Sequence, residues 1–83
     1  MDNRMIIRSS ALKHRIKASD ILQAADEALF VASLDEDNPQ REFRLGFDTQ
    51  GRLLEVVVLI WDDGTEEAIH AMKARKQYLS LLK

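Results

Sequence analysis

The chain has 83 residues, enough for one hydrophobic core and too few for two, so a single domain spanning 1–83 is expected. Its 46% hydrophobic and 31% charged residues, with one Pro and three Gly, are those of a folded protein and exclude a low-complexity tail. There is no cysteine, which excludes disulfide staples, thiolate zinc sites and thiol nucleophiles and suits a reducing compartment.

The elements can be taken in chain order. Ser9 and Ser10 precede a predicted short helix over 11–15, with Leu12 and Ile16 facing inward. Ser19 and Asp20 then start the main amphipathic helix, on which Ile21, Leu22, Ala25, Ala28 and Leu29 recur at helical spacing. Residues 28–34 turn strand-like around Leu29-Phe30-Val31, and Asp35-Glu36-Asp37-Asn38-Pro39 is an acidic turn. Residues 41–48 alternate, with Phe43, Leu45 and Phe47 on one face and Glu42, Arg44 and Gly46 on the other, as in a half-buried strand. After the turn Asp48-Thr49-Gln50-Gly51, residues 53–61 are apolar except for Glu55, which predicts a central strand with Trp61 in the core.

Asp62-Asp63-Gly64 is a hairpin turn leading into a strand over 66–73, with Ile69 and Ala71 on one face and His70 and Met72 on the other. Residues 75–82 predict a short C-terminal helix carrying Tyr78, Leu81 and Leu82 on one side. The expected fold is α+β: two N-terminal helices, an antiparallel three- to four-stranded β-meander and a C-terminal helix, with one sheet face partly free. The longest apolar run, 56–61, is far shorter than the roughly 20 residues of a membrane span. Charges occupy the N-terminus where a signal peptide would be apolar, so a cytoplasmic protein without a membrane partner is expected.

The net charge of −2 conceals an asymmetry. Residues 1–17 carry Arg4, Arg8, Lys13, Arg15 and Lys17 against Asp2, a sum of +4; residues 73–83 carry Lys73, Arg75, Lys76 and Lys83 with no acid, again +4. The segment between sums to −10, with 13 acidic residues against Arg41, Arg44 and Arg52. If the two ends meet, an acidic body carries a basic patch suited to an anion or nucleic acid. The alternative is a set of solvated charges that complement acidic neighbours.

Among residues able to do chemistry, His70 stands out: it is one of two histidines, it lies in a strand, and Lys73, Arg75 and Lys76 follow it. Cleaving RNA without a metal requires proton transfer and stabilisation of phosphorane charge, tasks that suit histidine and arginine. A histidine filling space at a strand edge is the competing reading. Glu55 on the neighbouring strand is a candidate to orient His70, depending on register. Arg52 beside Gly51 suits a phosphate, or is a solvated turn residue. Lys13, His14 and Arg15 form a basic step or the polar face of a helix, and Tyr78 is a stacking platform or a core residue. Asp35-Glu36-Asp37 and Asp62-Asp63 lack the ligand spacing of a calcium loop, and no Gly-rich phosphate loop occurs, so neither metal nor cofactor is expected.

Lys13-His14-Arg15-Ile16 ahead of a capped helix is followed by Phe43-Arg44-Leu45-Gly46 and Gly51-Arg52-Leu53-Leu54-Glu55-Val56-Val57. Ile69-His70-Ala71-Met72-Lys73-Ala74-Arg75 completes the series. In that order the segments resemble the BrnT-like toxins of bacterial type II toxin–antitoxin systems. The resemblance covers most of the chain on short motifs. It implies a RelE-like fold, metal-independent cleavage of RNA, and neutralisation by a DNA-binding antitoxin as cognate partner. Lys13 and His14 match the family's Lys-His-Gly step, and Gly51-Arg52 its Gly-Arg turn. Arg15 stands where the family has glycine, and Met72 where it has the arginine of an Ile-Ser-Ala-Arg-Lys stretch. The resulting expectation places His70, Arg75 and Arg52 in catalysis, with Lys13, His14, Arg15, Lys73 and Lys76 binding RNA and Glu55 orienting. Two other readings stay open: a non-catalytic RNA- or protein-binding module on the same fold, and a chain that pairs with itself as a homodimer through a sheet edge.

Overall fold

Apolar side chains at positions 54, 56 and 58 of the central strand must be covered, and the cover is a helix whose own apolar stripe is Ile21, Ala24 and Ala25. The computed structural model describes residues 5–82; Asp2, Arg4 and Lys83, counted in the charge sums, lie outside the described residues. In chain order the elements are β1 (Met5–Ile7), a 3-10 turn (Ser9–Leu12), α1 (Ala18–Asp26), β2 (Phe30–Ser33), β3 (Gln40–Phe47), β4 (Leu53–Ile60), β5 (Glu66–Lys73) and a second 3-10 segment (Lys76–Leu82). The strands form one five-stranded sheet in the order β1-β5-β4-β3-β2. β2 to β5 are an antiparallel meander, and β1 pairs parallel to β5.

This architecture corrects the sequence expectation at four places. The sheet is mixed and has five strands, because Met5-Ile6-Ile7 joins the far edge of β5. Pairing between residues so distant in the chain leaves no local pattern to read. The helix expected over 11–15 is a four-residue 3-10 turn, with Ala11 fully buried and Leu12 exposed. It ends because Arg15 adopts a positive φ of 67°, which no helix continues through. The expected C-terminal α-helix is a 3-10 segment with no fully buried residue, and Leu79 and Leu81 lie in solvent. A short segment docked by few side chains lacks the packing that stabilises an α-helix of that length. Trp61, expected in the core, is 37% exposed at the hairpin end of β4.

α1 stops at Asp26, before Leu29, which is 64% exposed and precedes the edge strand β2. Arg44 of β3, expected on a solvated face, is 9% exposed and donates from its guanidinium to the Ala25 carbonyl at the end of α1, 3.0 Å away. It thereby satisfies a carbonyl left free by the helix end and places a cation at the helix's negative pole. Gly46, two residues on, is where backbone meets backbone: a Cβ there would lie 2.1 Å from the Ala24 carbonyl oxygen.

Both sheet faces are used. Toward α1 lie Leu54, Val56, Val58, Ala68 and Ala71, packed with Ala11, Ile16, Ile21, Ala24 and Ala25. Burial of a Val, Leu or Ile side chain contributes about 1.5–3 kcal/mol each. On the other face Phe43 and buried Leu45 meet Phe30 and Tyr78, the Phe43 and Tyr78 rings being 4.8 Å apart. Ala68 and Ala71 cannot share a face in a regular strand, whose side chains alternate. They do so because the register shifts between Val57 and Val58: Val57 pairs with His70, Val58 with Ala68, and Ile69 is the extra residue. The alternation expected for β5 therefore breaks at Ile69.

Candidate functional site

The bulge at Ile69 sets the site. Past it, Val57 opposes His70 and Glu55 opposes Met72, so Glu55, His70 and Met72 project on the face away from α1. Ser10 in the first 3-10 turn donates its hydroxyl to the Ile69 carbonyl at 2.6 Å, fastening the following basic step against the edge of β5. This brings the rings of His14 and His70 edge to face, with centroids 5.8 Å apart.

Glu55 is the centre of the constellation. Its carboxylate is 1% exposed and takes the Arg75 guanidinium in bidentate fashion, Nη2 donating to Oε2 at 2.7 Å and Nε to Oε1 at 3.1 Å. The Arg75 backbone N–H donates to Oε1 at 3.0 Å, and His70 Nε2 lies 3.0 Å from Oε2. Burial pushes the Glu55 carboxyl up, but the hydrogen bonds from Arg75 and His70 together outweigh it and hold it below the usual glutamate range. The same contact raises Arg75 further above its ordinary value. An ionised carboxylate only accepts, so the Nε2 of His70 carries the proton facing it. In the neutral ring, Nδ1 then holds the lone pair, with no hydrogen-bond partner among the described residues.

A cleft of about 370 Å³ adjoins this group, lined by His14, Arg15, Ile16, Arg52, Met72 and Lys73. Arg52 is held in place from behind: its Nε donates to Asp48 Oδ2 at 2.7 Å, and its Nη2 lies 3.4 Å from Asp20 Oδ2. Burial pushes the Asp48 carboxyl up, yet hydrogen bonds from Arg52 and from the Gln50 N–H leave it lowered overall. Asp20 is fully buried in the first turn of α1; it accepts from the Thr49 N–H at 3.2 Å, from the Thr49 hydroxyl, and from Gln50 Nε2 at 3.2 Å. The side chains of Arg15 and Lys73 make no hydrogen bond or ion pair among the described residues. Among the described residues no carboxylate lines the cleft; Asp48 and Asp20 hold Arg52 from behind, and the side chains of Arg15 and Lys73 have no acidic partner there.

The structure thus brings Glu55, His70 and Arg75 together by hydrogen bonds and gathers His14, Arg15, Arg52 and Lys73 around the neighbouring cleft. Lys13 and Lys76 are exposed and do not line it. Arg75 is not a free guanidinium, because two of its three nitrogens are taken by Glu55. Sequence reading missed Asp20 and Asp48. The i,i+4 spacing of Asp48 and Arg52 is a usable signal for their pairing, whereas nothing local announces that Asp20 is buried. A second cleft of about 440 Å³, lined by Asn38, Trp61, Asp62, Asp63, Thr65 and Glu67, is acidic and repels phosphate.

Among the described residues no three His, Cys, Asp or Glu side chains group as metal ligands, and no helix is long and apolar enough to cross a membrane. Comparison with known proteins found no matching family model, no matching curated protein and no matching solved structure.

Proposed function

We propose that the protein is a metal-independent endoribonuclease of the BrnT-like toxin type, neutralised in its host by an antitoxin protein. The observation that supports this reading most is the Glu55–His70–Arg75 set standing beside a second imidazole and a cleft lined by Arg15, Arg52 and Lys73. Ionised Glu55 fixes the tautomer of His70, and Nδ1 removes the proton of a ribose 2′-hydroxyl. The 2′-oxygen attacks the adjacent phosphorus, the 5′-oxygen of the next nucleotide leaves, and His14 supplies the proton it takes up. Products are a 2′,3′-cyclic phosphate and a 5′-hydroxyl. Arg52, and the guanidinium edge of Arg75 not used by Glu55, stabilise the charge on the phosphorane. Lys13, Lys73 and Lys76 attract the polyanion.

The test is incubation with 5′-labelled single-stranded RNA in the presence of a chelator. Cleavage with cyclic phosphate ends is expected, and His70→Ala lowers the rate about 10²- to 10⁴-fold with its circular dichroism unchanged. Production of the wild-type chain in bacteria arrests growth, and the same substitution relieves the arrest. A wild-type chain that leaves RNA intact and growth unaffected overturns the proposal. One observation favours a second reading, a non-catalytic RNA-binding module: the bidentate hold of Glu55 on Arg75 also serves to dock the C-terminal segment. Salt-dependent RNA binding without products selects it.

A further inference from the structure

Arg15 is the one non-glycine residue with positive φ among the described residues, at 67°. That region disfavours any residue bearing a Cβ, and glycine is its natural occupant. Its backbone N–H donates to the Leu12 carbonyl at 3.1 Å, but its side chain makes no hydrogen bond or ion pair among the described residues that would offset the strain, and it is exposed at the cleft with Arg52 and Lys73. An outlier of this kind points to a use for the side chain that outweighs the local cost.

The neighbours indicate which use. Arg15, Arg52, Lys73 and His14 supply positive charge and donors, while Ile16 and Met72 give the same cleft an apolar wall. A cationic rim with an apolar wall fits a nucleotide better than a bare inorganic anion or a carboxylate chain. The cleft is continuous with the His70 group, since Met72 shares its strand face and His14 touches its ring. We propose that the cleft is a second phosphate subsite for single-stranded RNA, in which Arg15 binds the phosphate next to the one at His70. This rests on the RNA-binding half of the functional reading and not on cleavage.

The test is fluorescence anisotropy with a 2′-O-methyl octaribonucleotide, which lacks the nucleophile and stays intact. Arg15→Asn tolerates the left-handed backbone and lacks the charge; Arg15→Lys keeps the charge. Asn is expected to weaken binding about tenfold near 0.1 M salt and to reduce the log–log salt slope by about 0.7, while Lys retains the slope. Arg15→Gly is expected to bind as weakly as Asn and to melt about 4 °C higher than wild type. An unchanged slope in Arg15→Asn overturns the subsite, as does a wild-type chain that fails to bind the oligonucleotide. Hexaglutamate displacing the oligonucleotide with comparable affinity, dependent on Arg15, reassigns the cleft to an acidic protein partner and overturns the RNA assignment. Arg15-dependent binding together with RNA that is never cut retires the nuclease reading and leaves the subsite standing.

Discussion

Glu55 is a carboxylate withdrawn from water that remains an anion because Arg75 and His70 converge on it. Replacing it by glutamine keeps the shape and removes the charge. Glu55→Gln is expected to cost about 2 kcal/mol at pH 7, less than a fully buried pair because Arg75 is half exposed. The pH dependence follows from the direction of the shifts. Glu55 and Asp48 titrate lower folded than unfolded, so their contribution is complete above their ordinary values of 4.5 and 3.8 and is lost as pH falls through the folded values. Urea unfolding should therefore show stability declining below about pH 4.5, with a shallower decline in Glu55→Gln. Gly46→Ala tests a different contact. Its Cβ would overlap the Ala24 carbonyl, so α1 must lift from the sheet, at a cost of about 3 kcal/mol in the same measurement.

The decisive elements are α1 and β5, which build the core on one side and carry site residues as well. α1 contributes Asp20, which clamps the Asp48–Gly51 turn and reaches Arg52, so helix and cleft are coupled through one buried carboxylate. Asp20→Ala leaves the Thr49 and Gln50 donors unpaired and frees one side of Arg52. The expected loss is about 2 kcal/mol, with amide exchange in the turn at 48–51 rising more than in β4. In β5, the extra residue Ile69 keeps two alanines against α1 while His70 faces Glu55. Deleting Ile69 leaves the pairs Val58–Ala68 and Val57–His70 in place but removes the carbonyl that Ser10 holds, so RNA binding should weaken through the loosened His14–Arg15 step while the sheet persists by circular dichroism.

At the scale of the molecule, the described parts of the two basic ends meet, Arg15 and Lys73 lining one cleft, while Trp61, Asp62, Asp63 and Glu67 form an acidic one elsewhere. A chain of net charge −2 should therefore still bind single-stranded RNA, with affinity falling steeply between 50 and 200 mM salt, roughly as the number of phosphates contacted. Parallel pairing sets β1 beside β5 and anchors the residues that follow β1. Half-buried Ile7 packs against the main core, so Ile7→Asp should weaken RNA binding without touching the cleft, by loosening the segment that carries His14 and Arg15.

The α+β class, α1, the three long strands and their turns were legible in the residues themselves, because amphipathic periodicity and turn chemistry are local properties. So was the candidacy of His70, Glu55, Arg52 and Arg75, since their chemistry is written in residue type. Other features depend on contacts between segments far apart in the chain: the fifth strand, the burial of Asp20, the exposure of Trp61 and the bulge that turns His70 toward Glu55. The 3-10 form of both end segments has the same origin, for a few docking contacts outweigh weak helix propensity in so short a stretch. Residue type proposed the site's members, and tertiary register decided that Glu55 would fix His70 and that Arg15 would stand strained, its side chain without a partner among the described residues, at the mouth of a cationic cleft.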